Sequence, residues 1–216
     1  MRSPRSFTRR FHAVCLFAAL TPLVGAAAQT ETLRNPRVVV VDGTIRPRET
    51  EALPGKYPSV TVYFTAGSLE IGKAGGKTYA AGVKAGDVVF HKAEAMTAKN
   101  TGSAAVHFMR VEFLGKGIPE TWGSAGLSPN YKMLLENPYT RVYDIRISAG
   151  AREPQHSHRD RVVICLSGAR LSHLMPDGRE EPSTLKTGES AWRRGGTHIG
   201  QNLGNTDLWV IAVEPK

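Results

Sequence analysis

The stretch Asn35-Pro36-Arg37-Val38-Val39-Val40-Val41-Asp42 returns 102 residues later as Asn137-Pro138-Tyr139-Thr140-Arg141-Val142-Tyr143-Asp144. Working outward, the same offset carries Gly86-Asp87 to Gly188-Glu189, Asn100 to Asn202, and Val111-Glu112 to Val213-Glu214. Gly67 finds its match in Gly168 at one residue less, as shortening a loop by one residue would produce. Several separate landmarks on one spacing identify an internal repeat, and a repeat of this length means two copies of one small structural unit. The chain therefore divides into a first copy over residues 29–114, a connecting segment over 115–136 and a second copy over 137–216. The connecting segment is punctuated by Gly117, Pro119, Gly123, Gly126 and Pro129.

Each copy reads as short strands. Val38 to Val41, Val60 to Phe64, Gly86 to Phe90 and Val106 to Phe113 are rich in β-branched and aromatic residues, with Gly, Pro and Asn between them. The second copy answers with Arg141 to Ile147, Val162 to Leu166, Ser190 to Trp192 and Leu208 to Val213, and with a hairpin turn at Pro176-Asp177-Gly178. Helical periodicity is absent except for a hint at Tyr131 to Leu135. The fold class expected is all-β, two sandwich or jelly-roll barrels in tandem.

The chemistry concentrates in the second copy. Gly150 is followed after five residues by His156-Ser157-His158 and later by Gly168; beyond Gly188 come His198 and, after three more residues, Asn202. In a strand alternate side chains share a face, so His156 and His158 project together with about 6–7 Å between their Cα atoms and can share one ion. Neutral imidazole accepts several transition metals, so ligand type alone leaves Fe, Zn, Mn, Ni and Cu open.

These two stretches resemble the paired motifs of the cupin superfamily. There a glycine, five residues, His-x-His, a glutamate and a closing glycine form the first motif, and a histidine followed three residues later by asparagine ends the second. The resemblance implies a tandem cupin, or bicupin, of two double-stranded β-helix barrels. It implies a divalent metal held by His156, His158 and His198, with Fe(II) favoured. The family glutamate falls at Arg161, which cannot bind a cation. Asp160 stands next to it as a shifted substitute, but a three-histidine site is the preferred reading. Thiol dioxygenases and β-diketone-cleaving dioxygenases are cupins of that kind. Arg161 is then a candidate to receive a substrate carboxylate, and His173 a candidate proton carrier against the plainer reading of a satisfied strand histidine. Arg194 replaces the proline of the second motif, and the interval to His198 is one residue short. In the first copy Met96 and Asn100 align with His198 and Asn202, and Lys56, Tyr57 and Pro58 fall where its His-x-His belongs. That barrel is read as structural, without metal ligands.

The ends bound the rest. Arg2, Arg5, Arg9 and Arg10 precede an apolar run from Ala13 to Gly25 and then Ala26-Ala27-Ala28. This is the pattern of a signal peptide over residues 1–28, with cleavage after Ala28 and a periplasmic or secreted product. Sec export is preferred to the twin-arginine route because His12 stands two places beyond Arg9-Arg10. Loss of the four leader arginines lowers the formal charge from +9 to +5. The remaining charges are scattered, which argues against nucleic-acid binding. No membrane association is expected after cleavage. Cys15 leaves with the leader and Cys165 remains alone, which excludes a disulfide within the mature monomer. Partners are a small-molecule substrate or ligand and, as one option, a second copy of the chain. Two functions remain in play, a metal-dependent dioxygenase-like enzyme and a binding module without turnover.

Overall fold

The computed structural model describes residues 28–73, 76–115 and 126–216, and no described residue is helical. The expected leader, apart from Ala28, lies outside the described residues, as does the centre of the connecting segment at 116–125. Strands are numbered along the chain. In the first half a five-stranded antiparallel sheet has the order β1 (Ala28–Arg34), β2 (Val38–Ile45), β9 (Val106–Phe113), β4 (Ser59–Tyr63), β7 (Val88–His91). Beside it, a four-stranded sheet has the order β3 (Thr50–Leu53), β8 (Met96–Asn100), β5 (Gly67–Lys73), β6 (Thr78–Val83). The second half repeats this with β10 (Tyr131–Glu136), β11 (Thr140–Ile147), β18 (Leu208–Pro215), β13 (Arg161–Ser167) and β16 (Ser190–Arg193). Its four-stranded sheet is β12 (His156–His158), β17 (Gly196–Asn202), β14 (Ala169–Leu174) and β15 (Glu180–Leu185).

The repeat survives at the level of register. Val60 opposes Val111 as Val162 opposes Val213, and Leu69 opposes Asn100 as Leu171 opposes Asn202. The landmarks recur because each solves a backbone problem. The Asn35 carboxamide accepts from the amides of Arg37 and Val38, and Asn137 does the same for Tyr139 and Thr140. Gly86 and Gly188 sit at φ of 84° and 82°, a left-handed conformation that favours glycine. Asn100 and Asn202 are wholly buried and knot three segments together; Asn202 Nδ2 donates to the carbonyls of Ile147 and Thr206 while its Oδ1 accepts from Gly204 N. The asparagine of the motif is thus structural.

Two features differ from the sequence expectation. Tyr131–Glu136, placed in the connecting segment and carrying the one hint of helix, is strand β10, paired with β11 and bulged between Met133 and Leu135 as β1 is between Glu31 and Leu33. Pairing across the Asn137 turn overrides the weak local preference of a six-residue segment. In the first half, strand pairing sets Leu53 opposite Met96 where the second half has His156 opposite His198, so Leu53, rather than Lys56-Tyr57-Pro58, occupies the histidine place.

Both five-stranded sheets are buried on two faces. Alternate residues of each meet in one cluster that spans the halves, with Val60, Val62 and Val111 from the first and Val162, Ile211 and Val213 from the second. The opposite faces cover separate interiors. In the first interior the Phe108 ring lies over Gly43, where a Cβ would come within 2.3 Å of it. Next to it Arg110 pairs with Glu51 at 2.9 Å and Glu112 at 3.1 Å and donates to Gln29 at 3.0 Å. The positions equivalent to Phe108 and Arg110 by the repeat hold Val210 and Ala212. In the second half, where Ile145 takes the place of Gly43, Ile145 and Val210 line a cavity of 330 Å³.

A core shared between halves predicts a single unfolding event. Ile211→Ala should cost about 2–5 kcal/mol and lower the melting temperature of one cooperative calorimetric transition; two resolved transitions would refute the shared core. Acid should also weaken the fold. Burial, aided by the Arg110 charge, pushes the His91 imidazole down to about 4, so the unfolded chain takes up a proton near pH 6.5 that the folded chain refuses. Stability is full above that pH and falls as pH drops toward 4, by about 2 kcal/mol at pH 5. Denaturant melts of wild type and His91→Leu should show the smaller acid loss in the variant.

Candidate metal centre

The cavity lies between the two sheets of the second half. One wall is the four-stranded sheet, whose inner face carries four imidazoles. His156 and His158 share a face of β12, and His198 of β17 stands directly opposite His156. His173 of β14 pairs with Gly200, which makes it the diagonal neighbour of His198. Ring centroids are 4.7 Å apart for His156 and His198, 5.0 Å for His158 and His198, 4.6 Å for His173 and His198, and 6.2 Å for His156 and His158. The three histidines singled out by motif are therefore gathered in one place, and His173 joins them.

Hydrogen bonds set the tautomers. His156 Nδ1 donates to the Pro154 carbonyl at 3.0 Å, and His158 Nδ1 to the Arg159 carbonyl at 3.1 Å. Each ring then keeps its Nε2 lone pair, the form a metal ligand needs. Burial lowers the pKa of His158 to about 2, with the Arg161 charge adding to it. Burial lowers His198 to about 3, with His173 and His156 adding to it. Burial also lowers His173. Buried imidazoles this close together are the donor chemistry of a divalent transition metal.

Imidazoles bound to one ion through nitrogens about 2.0–2.1 Å away stand roughly 4.5–5.5 Å apart, centroid to centroid. Two of the three motif pairs meet that spacing, and His156–His158 is wider. As the side chains stand, no three His, Cys, Asp or Glu among the described residues have donors converged on one ion position. The Nε2 of His156 is instead engaged by Tyr131, whose hydroxyl lies 3.3 Å away. The residues fit a metal in donor type, with Nδ1 of His156 and His158 engaged by carbonyls.

The opposite wall is the five-stranded sheet. Arg161 of β13 is buried, lines the cavity and donates from Nη1 to the Tyr131 hydroxyl at 2.8 Å, while its Nε has no partner. Tyr131 thus receives from the guanidinium and donates to the imidazole. Asp160 is turned elsewhere; its Oδ1 accepts from Gly195 N at 2.7 Å and its Oδ2 lies 3.8 Å from Arg37 Nη1. It is not a substitute ligand in this arrangement.

Two residues escaped the motif reading. Tyr131 lay in the presumed connecting segment. Glu153, between Gly150 and His156, is buried with Oε2 4.0 Å from His156 Nε2. Its repeat partner is Glu51, the acid buried against Arg110; that coincidence at the common offset was the available signal. Room for Glu153 comes from Gly200, where a Cβ would fall 2.5 Å from Oε2. Cys165, read as an inert core thiol, is free and buried, and burial pushes it up to about 11.

No family model matches the sequence, and no curated protein matches it. Solved structures do. The chain is similar to the Cupin 2 conserved barrel domain protein from Leptotrichia buccalis (14% identity, TM-score 0.54, 88% of this chain and 89% of that one). It is similar to AerE from Microcystis aeruginosa (14%, TM-score 0.60, 88% and 98%). It is also similar to the oxalate decarboxylase of Bacillus subtilis, described with Mn(II) centres (12%, TM-score 0.58, 87% and 72%). At such identities the likeness speaks for the fold, and the fold is that of the cupins.

Tyr131→Phe removes the one group joining Arg161 to His156. Leaving a buried guanidinium N–H and an imidazole lone pair unmatched should lower stability by about 1–3 kcal/mol. Chemical denaturation checks this; an unchanged midpoint would mean the phenol bridges nothing.

Proposed function

We propose that this cupin-fold chain is an exported bicupin that acts on a small organic anion at a divalent metal held by His156, His158 and His198, its first barrel serving as structure. The observation that carries the reading is the cluster of buried imidazoles of His156, His158 and His198, the last two lining a cavity that Arg161 lines from the other wall. The first barrel has Leu53 and Met96 at two of the ligand places, which supports a structural role. Fe(II) is the ion expected for a three-histidine dioxygenase, and Mn(II) is the ion named for the oxalate decarboxylase neighbour. The arginine-led, acid-free residues 1–27 and the small residues Ala26 and Ala28 support export to the periplasm or beyond.

A divalent ion in this place supplies Lewis acidity and, if it is iron, redox chemistry. The chain's own groups supply the rest. Arg161, which lines the cavity, would orient a carboxylate with its guanidinium. Glu153, with Oε2 4.0 Å from His156 Nε2, would take a proton. His173, beside His198, would pass one on. A binding module without turnover is the second reading, and it draws on the unconverged donors.

The test is metal analysis of the full chain purified from the exported fraction. One ion per chain is expected in wild type and in Met96→Ala, with at least a tenfold loss in His156→Ala, His158→Ala and His198→Ala. Wild type that remains empty after loading with Fe(II) or Mn(II) would overturn the metal site.

A further inference from the structure

The cavity has two chemically distinct ends. One is polar: His158, His173 and His198 on one side and Arg161 on the other, with Arg193 and Arg194 also in the lining. Against those three arginines stand two lining carboxylates, Glu153 and Glu181. The remainder of the floor is aliphatic. Ile145 and Ile147 of β11, Val163 of β13, and Leu208 and Val210 of β18 present one face of the five-stranded sheet, and Leu171 of β14 meets them from across. The alternation of strands makes this floor continuous, since 145 and 147, and 208 and 210, are same-face neighbours.

This division follows from the repeat. Where the second half has Val210 beside Ile145, and Ala212, the first has Phe108 over Gly43 and the paired Arg110. Where the second half has Arg161, the first has Ser59. The second half therefore combines a cavity over an aliphatic floor with a guanidinium at one end. A small diacid would leave the aliphatic floor bare and bring a second charge against it, at the desolvation cost of an unpaired ion.

We propose that the cavity takes a monocarboxylate with an apolar body, its carboxylate on Arg161 and its body along the floor of Ile145, Val163 and Val210. This names the substrate class of the site described above and rests on that cavity being the ligand site. A volume of 330 Å³ sits at the small end of the range for ligand pockets, about 300–1,000 Å³, which suits an aryl-alkyl or medium-chain acid.

The experiment is calorimetric titration of the full-length mature chain with 4-phenylbutyrate and octanoate, against succinate and oxalate as diacids and 4-phenylbutanol as the neutral body. Metal content is measured on the same samples. The two apolar monocarboxylates should bind at least tenfold more tightly than either diacid and than the alcohol. Arg161→Met should abolish the preference over the alcohol. Val163→Thr, which adds a hydroxyl to the floor without changing its size, should weaken the monocarboxylates several-fold while leaving metal content unchanged. A preference for the diacids, equal binding of acid and alcohol, or no binding of any probe would overturn the proposal. Because metal content is read separately, such a failure stays distinct from a failure of the metal site, which would appear as empty protein whatever the ligand ranking.

Discussion

Everything in this molecule depends on five-stranded sheets that are buried on both faces. A strand alternates its side chains, so β9 and β18 must serve two interiors at once. Met109, Val111 and Phe113 face the other half, while Val106 and Phe108 face their own. In β18, Ile211 and Val213 face the shared core, and Leu208, Val210 and Ala212 face inward. The shared core ties the halves together through β-branched residues that fill it without polar atoms. The inward faces are then free to diverge, because nothing in the shared core reads them.

That separation explains how one repeat yields two interiors. Changes at inward positions of the first half substitute an aromatic ring and a buried ion pair for empty space. A buried Arg–Glu pair contributes little net stability by itself and is costly to break. Its place here is that of a polar plug in which Arg110 bonds Glu51, Glu112 and Gln29, while Glu51 Oε2 is left without a partner. By the repeat, those positions in the second half hold Val210, Ala212, Glu153, Glu214 and Tyr131, and there Tyr131 joins Arg161 to His156.

The histidine wall also shows the use of glycine in a crowded sheet. Gly196 opposes His158 and has open space above it, while Gly200 opposes His173 and gives up its Cβ volume to the Glu153 carboxylate. Four imidazoles and one acid fit on three short strands because two of the facing positions carry no side chain. Tyr131 then arrives from the first strand of the other sheet and ties Arg161 to His156. The phenol thus couples the two walls, alongside Asn202 on Ile147 and Arg193 on Ser183.

The amino-acid sequence by itself determined the repeat, the all-β class and the gathering of His156, His158 and His198. The repeat, the class and the pairing of His156 with His158 rest on local rules: turn residues such as Asn35 and Gly86 are dictated by backbone geometry, and alternation places i and i+2 histidines together; His198 entered through its match to the second cupin motif. Tertiary structure alone decided that β10 belongs to the second half, that Glu153 and Tyr131 reach the histidines, and that Asp160 turns away toward Gly195. It alone decided that Leu53 aligns with the first histidine place and that the interior beside Val210 is empty. The physical reason is that contacts between sheets depend on depth and direction set by many strands at once, and no short stretch of sequence encodes which of two inward side chains will meet across a cavity.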